Sequence, residues 1–116
     1  MKLEDATKEE LIWWIKEHAF ALSFSPREFE ADIMRRRHDA YIERADQCGE
    51  QYDQALKSYR MLLAPYMGKP LRDLPQNVLD RGANLERAMN EAQRERMRLW
   101  RLANKCMDRV LGALEE

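Results

Sequence analysis

The sequence predicts an all-α protein, a long antiparallel helical hairpin with heptad seams plus a short N-terminal helix, forming a three-helix, partly coiled-coil bundle. Three observations predict this class. Strand-forming types are scarce, since only seven of the 116 residues are Val, Ile or Thr. Three of the four prolines fall within 65–75, so long stretches have no helix breaker. Apolar residues recur at helical spacing along those stretches. The length indicates a single domain over 1–116.

The composition excludes several classes of protein. With 45% hydrophobic and 35% charged residues, the chain resembles ordered globular proteins and not disordered ones. A net charge of −1 provides no overall field that would attract nucleic acid or an anionic membrane. The longest apolar run, Leu11–Ile15, is far too short for a membrane span or a signal-peptide core. We therefore expect no association with membranes.

The first helix is predicted over about 8–22. Thr7 and Glu10 have the spacing of a capping box, in which each side chain accepts a hydrogen bond from an end amide. Apolar and aromatic residues follow at helical spacing. The expected packing face consists of Leu11, Ile15, His18, Ala19 and Leu22, with Trp14 beside it.

The second helix is predicted over about 26–64, after a tight reversal at 23–25. Ser25 is suited to the N-cap, Pro26 to the first helical position and Glu28 to a second capping box. Gly49 could interrupt this helix at a cost of up to roughly 1 kcal/mol, but the seam keeps its phase across it. The seam positions are Met34, His38, Tyr41, Ala45, Cys48, Tyr52, Ala55, Tyr59 and Leu62.

A loop over 65–75 leads to a third helix over about 74–114, with Asp73 as its expected N-cap. Of the 20 seam positions in the two long helices, 17 are apolar, which is typical of helices packed side by side. The third helix supplies Val78, Gly82, Leu85, Met89, Ala92, Arg96, Leu99, Ala103, Cys106, Val110 and Ala113.

The hairpin predicts which residues face each other. If it turns near Lys69, facing residues have numbers that sum to about 138. This rule places Gly82 opposite Leu56, near Tyr52 and Tyr59. The short first helix can cover the hairpin only at the end opposite the loop, so we expect three helices at one end and two at the other.

The loop end of the hairpin keeps an apolar stripe that nothing in the sequence covers. Such a surface usually marks a partner site, and the simplest partner is a second copy, in a homodimer or higher oligomer. The alternative is that the second helix bends and the bundle closes on itself. The stripe consists of Tyr52, Tyr59, Leu62, Leu63 and Tyr66.

Residues with catalytic or metal-binding potential are poorly placed for chemistry. Cys48 and Cys106 lie on seams as small apolar residues, but the hairpin separates them by roughly 24 Å along its axis, too far for an intrachain disulfide. We therefore expect two reduced thiols and a cytoplasmic setting. Neither His18 nor His38 has the Glu three residues earlier that helical di-iron sites use. No glycine-rich phosphate loop or nucleophile elbow is present. The sequence therefore predicts a non-enzymatic protein with no metal and no cofactor.

Basic residues concentrate in what we call the Arg band. One interpretation is a phosphate-binding surface of a nucleic-acid-associated factor, because Arg matches phosphate oxygens and an aromatic ring can stack on a base. The favoured interpretation is internal neutralisation by the acidic first helix, which places Glu9, Glu10 and Glu17 within reach of this end of the hairpin. The pair Glu9 and Glu10 is expected on an exposed face of that helix. The band consists of Arg35, Arg36, Arg37, Arg94, Arg98, Trp100 and Arg101.

The opening segment, residues 3–17 with the sequence LEDATKEELIWWIKE, resembles the start of small helical proteins encoded by phages, prophages and mobile elements of Gram-positive bacteria. This resemblance covers about the first helix. It implies an accessory role, as a structural or regulatory adaptor or as an inhibitor of a host enzyme or defence system. It implies no catalytic residues. From the residues themselves, we expect a helical protein–protein interaction module that self-associates.

Overall fold

The computed structural model describes residues 1–18 and 25–115, and within these ranges it contains helices and no β-strand. Helix α1 spans Lys8–Glu17, α2 spans Pro26–Leu63 and α3 spans Gln76–Glu115. Short 3₁₀ helices span Leu3–Asp5, Ala64–Tyr66 and Leu71–Asp73. The predicted all-α class, with two long antiparallel helices packed together and a short helix before them, is confirmed.

The helix ends follow from the local sequence. α2 begins at Pro26, and the Ser25 hydroxyl accepts a hydrogen bond from the amide of Arg27 at 3.2 Å. α3 begins at Gln76, two residues later than expected, because Asp73 belongs to a 3₁₀ helix and is not the N-cap. The predicted end of the first helix near Leu22, with Ala19 on its face, lies outside the described residues, as does most of the reversal.

The start of α1 confirms the capping box. The Glu10 amide donates to Thr7 Oγ1 at 3.1 Å, and the Thr7 amide donates to Glu10 Oε1 at 2.9 Å. These two bonds satisfy amides that have no partner within the helix. Glu10 is nevertheless buried, with 8% of its surface exposed, which corrects the expectation of an exposed acidic face.

The chain forms two compact units. The terminal unit comprises Met1–Ile42 and Trp100–Glu116, and the loop unit comprises Glu43–Leu99. In the terminal unit, α1 packs on α2 through Trp14, whose ring meets Phe29 edge-on at 5.1 Å between centroids. Ile33 is fully buried in the same cluster. Burying each of these large side chains contributes about 1.5–3 kcal/mol.

The packed face of α1 differs from the predicted one. Ile15 is 61% exposed, whereas Trp14 is 8% exposed. The indole of Trp14 stacks on His18 at 4.3 Å between centroids, and its Nε1 donates to Asp32 Oδ2 at 3.3 Å. Because Trp14 offers a large apolar area together with a donor that finds a partner on α2, the helix turns this side inward and leaves Ile15 in solvent.

The α2 and α3 segments of the terminal unit form a second apolar cluster. Ala31 and Met34 of α2 pack with Cys106 and Val110 of α3. At its edge, Glu30 Oε1 accepts from Arg109 at 2.8 Å, and the other oxygen accepts from the N-terminal ammonium at 2.9 Å. Both donors lower the pKa of Glu30, and the N-terminal ammonium has the larger effect.

The seams confirm the predicted packing of the two long helices. All 20 seam positions are buried or half-buried. α2 continues without a break through Gly49, as its unbroken seam predicts. In the loop unit, the space beside Gly49 is taken by Arg96 of α3, since a Cβ built on Gly49 would lie 3.4 Å from Arg96 Cζ.

Side-chain contacts in the loop unit are shifted from the predicted pairing. A Cβ built on Gly82 would meet Tyr59 Cε2 at 3.7 Å and Leu62 Cδ2 at 3.9 Å, so Tyr59 is a neighbour as expected, but Leu62 replaces Leu56. Helical side chains lean toward the N terminus of their own helix. A long side chain of α2 therefore reaches a partner that stands opposite an earlier residue, which the sum rule ignores.

Candidate partner-binding groove

An apolar groove lies within the loop unit. It is formed by the last turns of α2, the first turns of α3 and residues 64–75 between them, which we call the connecting segment. It encloses about 390 Å³. No third helix covers it in the described part of this unit. Its lining consists of Tyr59, Leu63, Tyr66, Met67, Gly68, Lys69, Leu71, Leu74, Val78, Leu79, Gly82, Ala83 and Glu86.

The end of the groove away from the connecting segment, which we call the inner end, is shaped by the absence of a side chain on a glycine. Gly82 allows the Tyr59 ring to approach α3, and Tyr59 then donates its hydroxyl hydrogen to Glu86 Oε1 at 2.8 Å. This hydrogen bond raises the pKa of Tyr59, because the bond and the nearby carboxylate both favour the neutral phenol. The bond fixes the ring as a wall and the carboxylate as part of the rim.

The outer end of the groove is shaped by the connecting segment. Gly68 has a φ of 81°, in the left-handed region that side chains disfavour, and the Lys69 amide donates to the Tyr66 carbonyl at 3.1 Å. This turn leaves two apolar side chains in solvent beside the cavity. Met67 is 80% exposed and Leu71 is 74% exposed.

The predicted apolar stripe is only partly the lining of this groove. Tyr59, Leu63 and Tyr66 line it, whereas Tyr52 and Leu62 do not. All five stripe residues are half-buried. Sequence reasoning missed the contribution of the connecting segment, whose apolar residues alternate with prolines and carry no helical period. The sequence does show three large apolar residues, Met67, Leu71 and Leu74, in a loop where polar residues are usual, and this could have indicated a binding surface.

Charge on the groove is limited to one residue of each sign. Among the lining residues, Lys69 stands at the outer end and Glu86 at the inner end. The Lys69 ammonium lies 5.9 Å from the centroid of the Tyr66 ring, a distance at which cation–π attraction is weak. The groove is therefore apolar along its length and oppositely charged at its two ends.

The first part of the Arg band is held by the N-terminal segment. Arg37 donates to both carboxylate oxygens of Glu10, at 2.6 and 2.7 Å, and to the Asp5 carbonyl at 3.2 Å. The guanidinium lowers the pKa of Glu10, and the carboxylate in turn raises the pKa of Arg37. Glu10 thus serves the cap of α1 and the docking of α1 at once.

The neighbours of Arg37 are also engaged. Arg36 lies over the Trp13 ring at 4.9 Å from its centroid, and Arg35 lies 3.6 Å from Asp32. Of the acids expected to neutralise the band, Glu10 pairs with Arg37 through its carboxylate, whereas Glu9 offers Arg36 only its uncharged backbone carbonyl, at 3.5 Å.

The remaining members of the band fall in different units. Arg94 and Arg98 belong to the loop unit, and Trp100 and Arg101 to the terminal unit. Arg98 pairs with Glu95 of its own helix, with Nε donating at 2.9 Å. Arg94 and Arg101 are exposed and form no ion pair with a described residue. Sequence proximity therefore groups residues whose surroundings differ.

The other candidate chemical groups are structural in their contacts. Cys48 and Cys106 are both free and buried, and burial raises the pKa of the Cys106 thiol. His38 is half-buried, with Nδ1 at 3.0 Å from Asp39 Oδ1. Over residues 1–18 and 25–115, no group of three or more His, Cys, Asp or Glu side chains is arranged to hold a metal ion. No described helix is long and apolar enough to cross a membrane.

Comparisons with protein-family models, with curated proteins and with solved structures find no match to this chain.

Proposed function

We propose that this chain is a non-enzymatic helical protein–protein interaction module that self-associates through the groove of the loop unit. The observation that carries the proposal is the placement of Met67 and Leu71, mostly exposed, beside an apolar cavity of about 390 Å³. Hydration of exposed apolar surface is unfavourable. A partner that covers this surface and fills the cavity would therefore lower the free energy of the system.

A second copy is the partner that these features favour. In a two-fold dimer the same surface patch of both copies forms the interface. The patch must therefore contain both projecting side chains, here Met67 and Leu71, and a cavity that receives those of the other copy. The groove has both within a few residues of each other, and the flexible thioether of Met67 can adapt to an irregular cavity. Two free, buried thiols are in keeping with the cytoplasm as the place where this module works.

The test is sedimentation equilibrium over a wide range of protein concentrations. We expect a monomer–dimer equilibrium that Met67→Asp and Leu71→Asp each shift to the monomer, because a carboxylate cannot enter an apolar cavity without loss of hydration. Met61→Asp is the matched control, since Met61 belongs to the same unit and is 67% exposed but does not line the groove. A monomer at every concentration, or equal effects of all three substitutions, would overturn the proposal.

The accessory role in phages or mobile elements that residues 3–17 imply stays a prediction. Its support is that resemblance alone. Purification of the chain from a native lysate, followed by identification of what accompanies it, would show whether a host protein binds it.

A further inference from the structure

We propose that the dimer is an antiparallel, two-fold pair of grooves in which Lys69 of each copy forms an ion pair with Glu86 of the other. This inference rests on the proposed function and specifies the residues that set the orientation of the partner.

The groove carries charge of opposite sign at its two ends. Lys69 and Glu86 are the two charged residues among the lining residues, and they stand at its opposite ends. From the start of α3 at Gln76 to Glu86 the helix rises about 15 Å, at 1.5 Å per residue. Two identical grooves placed in parallel would bring Lys69 near Lys69 and Glu86 near Glu86, whereas antiparallel placement brings opposite charges together at both ends.

The Glu86 carboxylate is held in place by one hydrogen bond. Tyr59 donates to Oε1 at 2.8 Å and so holds the carboxylate at the rim. Oε2 is not used in this bond, and a carboxylate can accept several hydrogen bonds. An ammonium group from a second copy can therefore bind there without breaking the wall of the groove.

The apolar side chains of the groove also favour antiparallel placement. Antiparallel placement carries the connecting segment of one copy, with Met67 next to Lys69, toward the inner end of the other groove. The lining near that end includes the exposed Ala83, whose small side chain leaves room for one from outside. Gly68 fixes the separation of Met67 and Lys69 through its positive φ. The same arrangement thus buries the projection and pairs the charges.

The test is a charge exchange measured by sedimentation equilibrium. Lys69→Glu and Glu86→Lys should each weaken homodimerisation roughly tenfold, because two exposed pairs turn repulsive in each dimer. An equimolar mixture of the two variants should form a heterodimer about as stable as the wild-type dimer, since every contact in it joins opposite charges. The double variant K69E/E86K should also dimerise more tightly than either single variant, because its exchanged charges again attract each other.

Controls separate this inference from its premise. Lys57→Glu changes an exposed lysine of the same unit that does not line the groove, and it should leave the affinity unchanged. Glu86→Gln keeps an oxygen acceptor for Tyr59 and should weaken the dimer less than Glu86→Lys does. Circular dichroism checks that each variant remains helical.

The outcomes are distinct. A dimer that tolerates both single exchanges, or a mixture no stronger than either variant alone, overturns the Lys69–Glu86 pairing and leaves self-association standing. A wild-type chain that is monomeric at every concentration overturns both. Weakening by each single exchange together with recovery in the double variant supports the antiparallel pair, because in a parallel pair residue 69 would face residue 69 and every homodimer, the wild type included, would have like charges in contact at both ends.

Discussion

The guanidinium carbon of Arg96 lies 3.4 Å from the position that a Cβ atom on Gly49 would occupy. Arg96 stands on the α3 seam, at a position where apolar residues are usual, and its Nε is shielded from solvent. The absence of a side chain at Gly49 makes room for the guanidinium. A glycine that weakens the helix locally is thus retained beside the charged residue of the opposite seam.

This contact predicts opposite effects of two substitutions at one position. Gly49→Ala should raise the free energy of unfolding by up to about 1 kcal/mol, because alanine favours the helix and its methyl group meets Arg96 at ordinary contact distance. Gly49→Leu should lower it, because the longer side chain claims the space of the guanidinium. Urea unfolding followed by circular dichroism measures both changes.

Gly112 provides the control for that prediction. It lies within α3, and a Cβ there would meet nothing within 4 Å. We expect both Gly112→Ala and Gly112→Leu to stabilise the protein slightly. If Gly49→Leu proves as stable as Gly112→Leu, the contact with Arg96 does not restrict position 49.

The Glu10–Arg37 pair predicts how α1 is held. Glu10→Gln keeps an oxygen for the Thr7 amide but removes the charge that binds Arg37, so we expect a loss of about 2 kcal/mol in the free energy of unfolding. Glu9→Gln, at an exposed neighbouring position, should change it much less. Equal losses in both variants would show that the helix-end charge matters more than the contact with Arg37.

The same pair predicts the dependence of stability on pH. The pKa of Glu10, lowered by Arg37, and that of Glu30, lowered by the N-terminal ammonium, both lie below the ordinary value of 4.5. The stability these carboxylates provide is complete above that value and is lost as pH falls through the lowered pKa values. Unfolding measured from pH 7 downward should therefore show a steeper loss in the wild type than in Glu10→Gln.

Tyr59 should titrate later than an ordinary tyrosine. Its hydrogen bond to Glu86 raises the pKa of the phenol above 10.0. Subtracting the ultraviolet titration curve of Tyr59→Phe from that of the wild type isolates the ionisation of Tyr59. This difference should be centred above pH 10.0. Glu86→Gln should move this difference toward lower pH, since the amide carries no charge to oppose ionisation. A difference curve centred at or below pH 10 would contradict the hydrogen bond between Tyr59 and Glu86.

The contacts of Arg36 and Arg37 predict weak affinity for nucleic acid. Both guanidinium groups are engaged by the N-terminal segment, and the net charge of the chain is −1. We expect no salt-sensitive binding to single-stranded or duplex DNA in filter-binding assays at low salt. Binding that falls with salt would contradict this expectation, and its loss in Arg94→Ala/Arg101→Ala would assign it to the exposed members of the Arg band.

The sequence by itself determined the helical class, the capping box of α1, the start of α2 and the continuity of α2 through Gly49. These features depend on neighbours within a few residues and on the seam period, which one chain displays directly. It also located Tyr59, Leu63 and Tyr66 in an apolar region near the loop.

Only the tertiary structure decided which side of α1 packs, what Glu10 binds and how the groove is completed. Trp14 is buried in place of Ile15 because a partner for its indole nitrogen, Asp32, stands on another helix. Glu10 is buried because Arg37 arrives from α2 to neutralise it. The contacts of Gly82 depend on the lean of long side chains across the pair. Such relationships join residues far apart in the chain, and no local pattern encodes them.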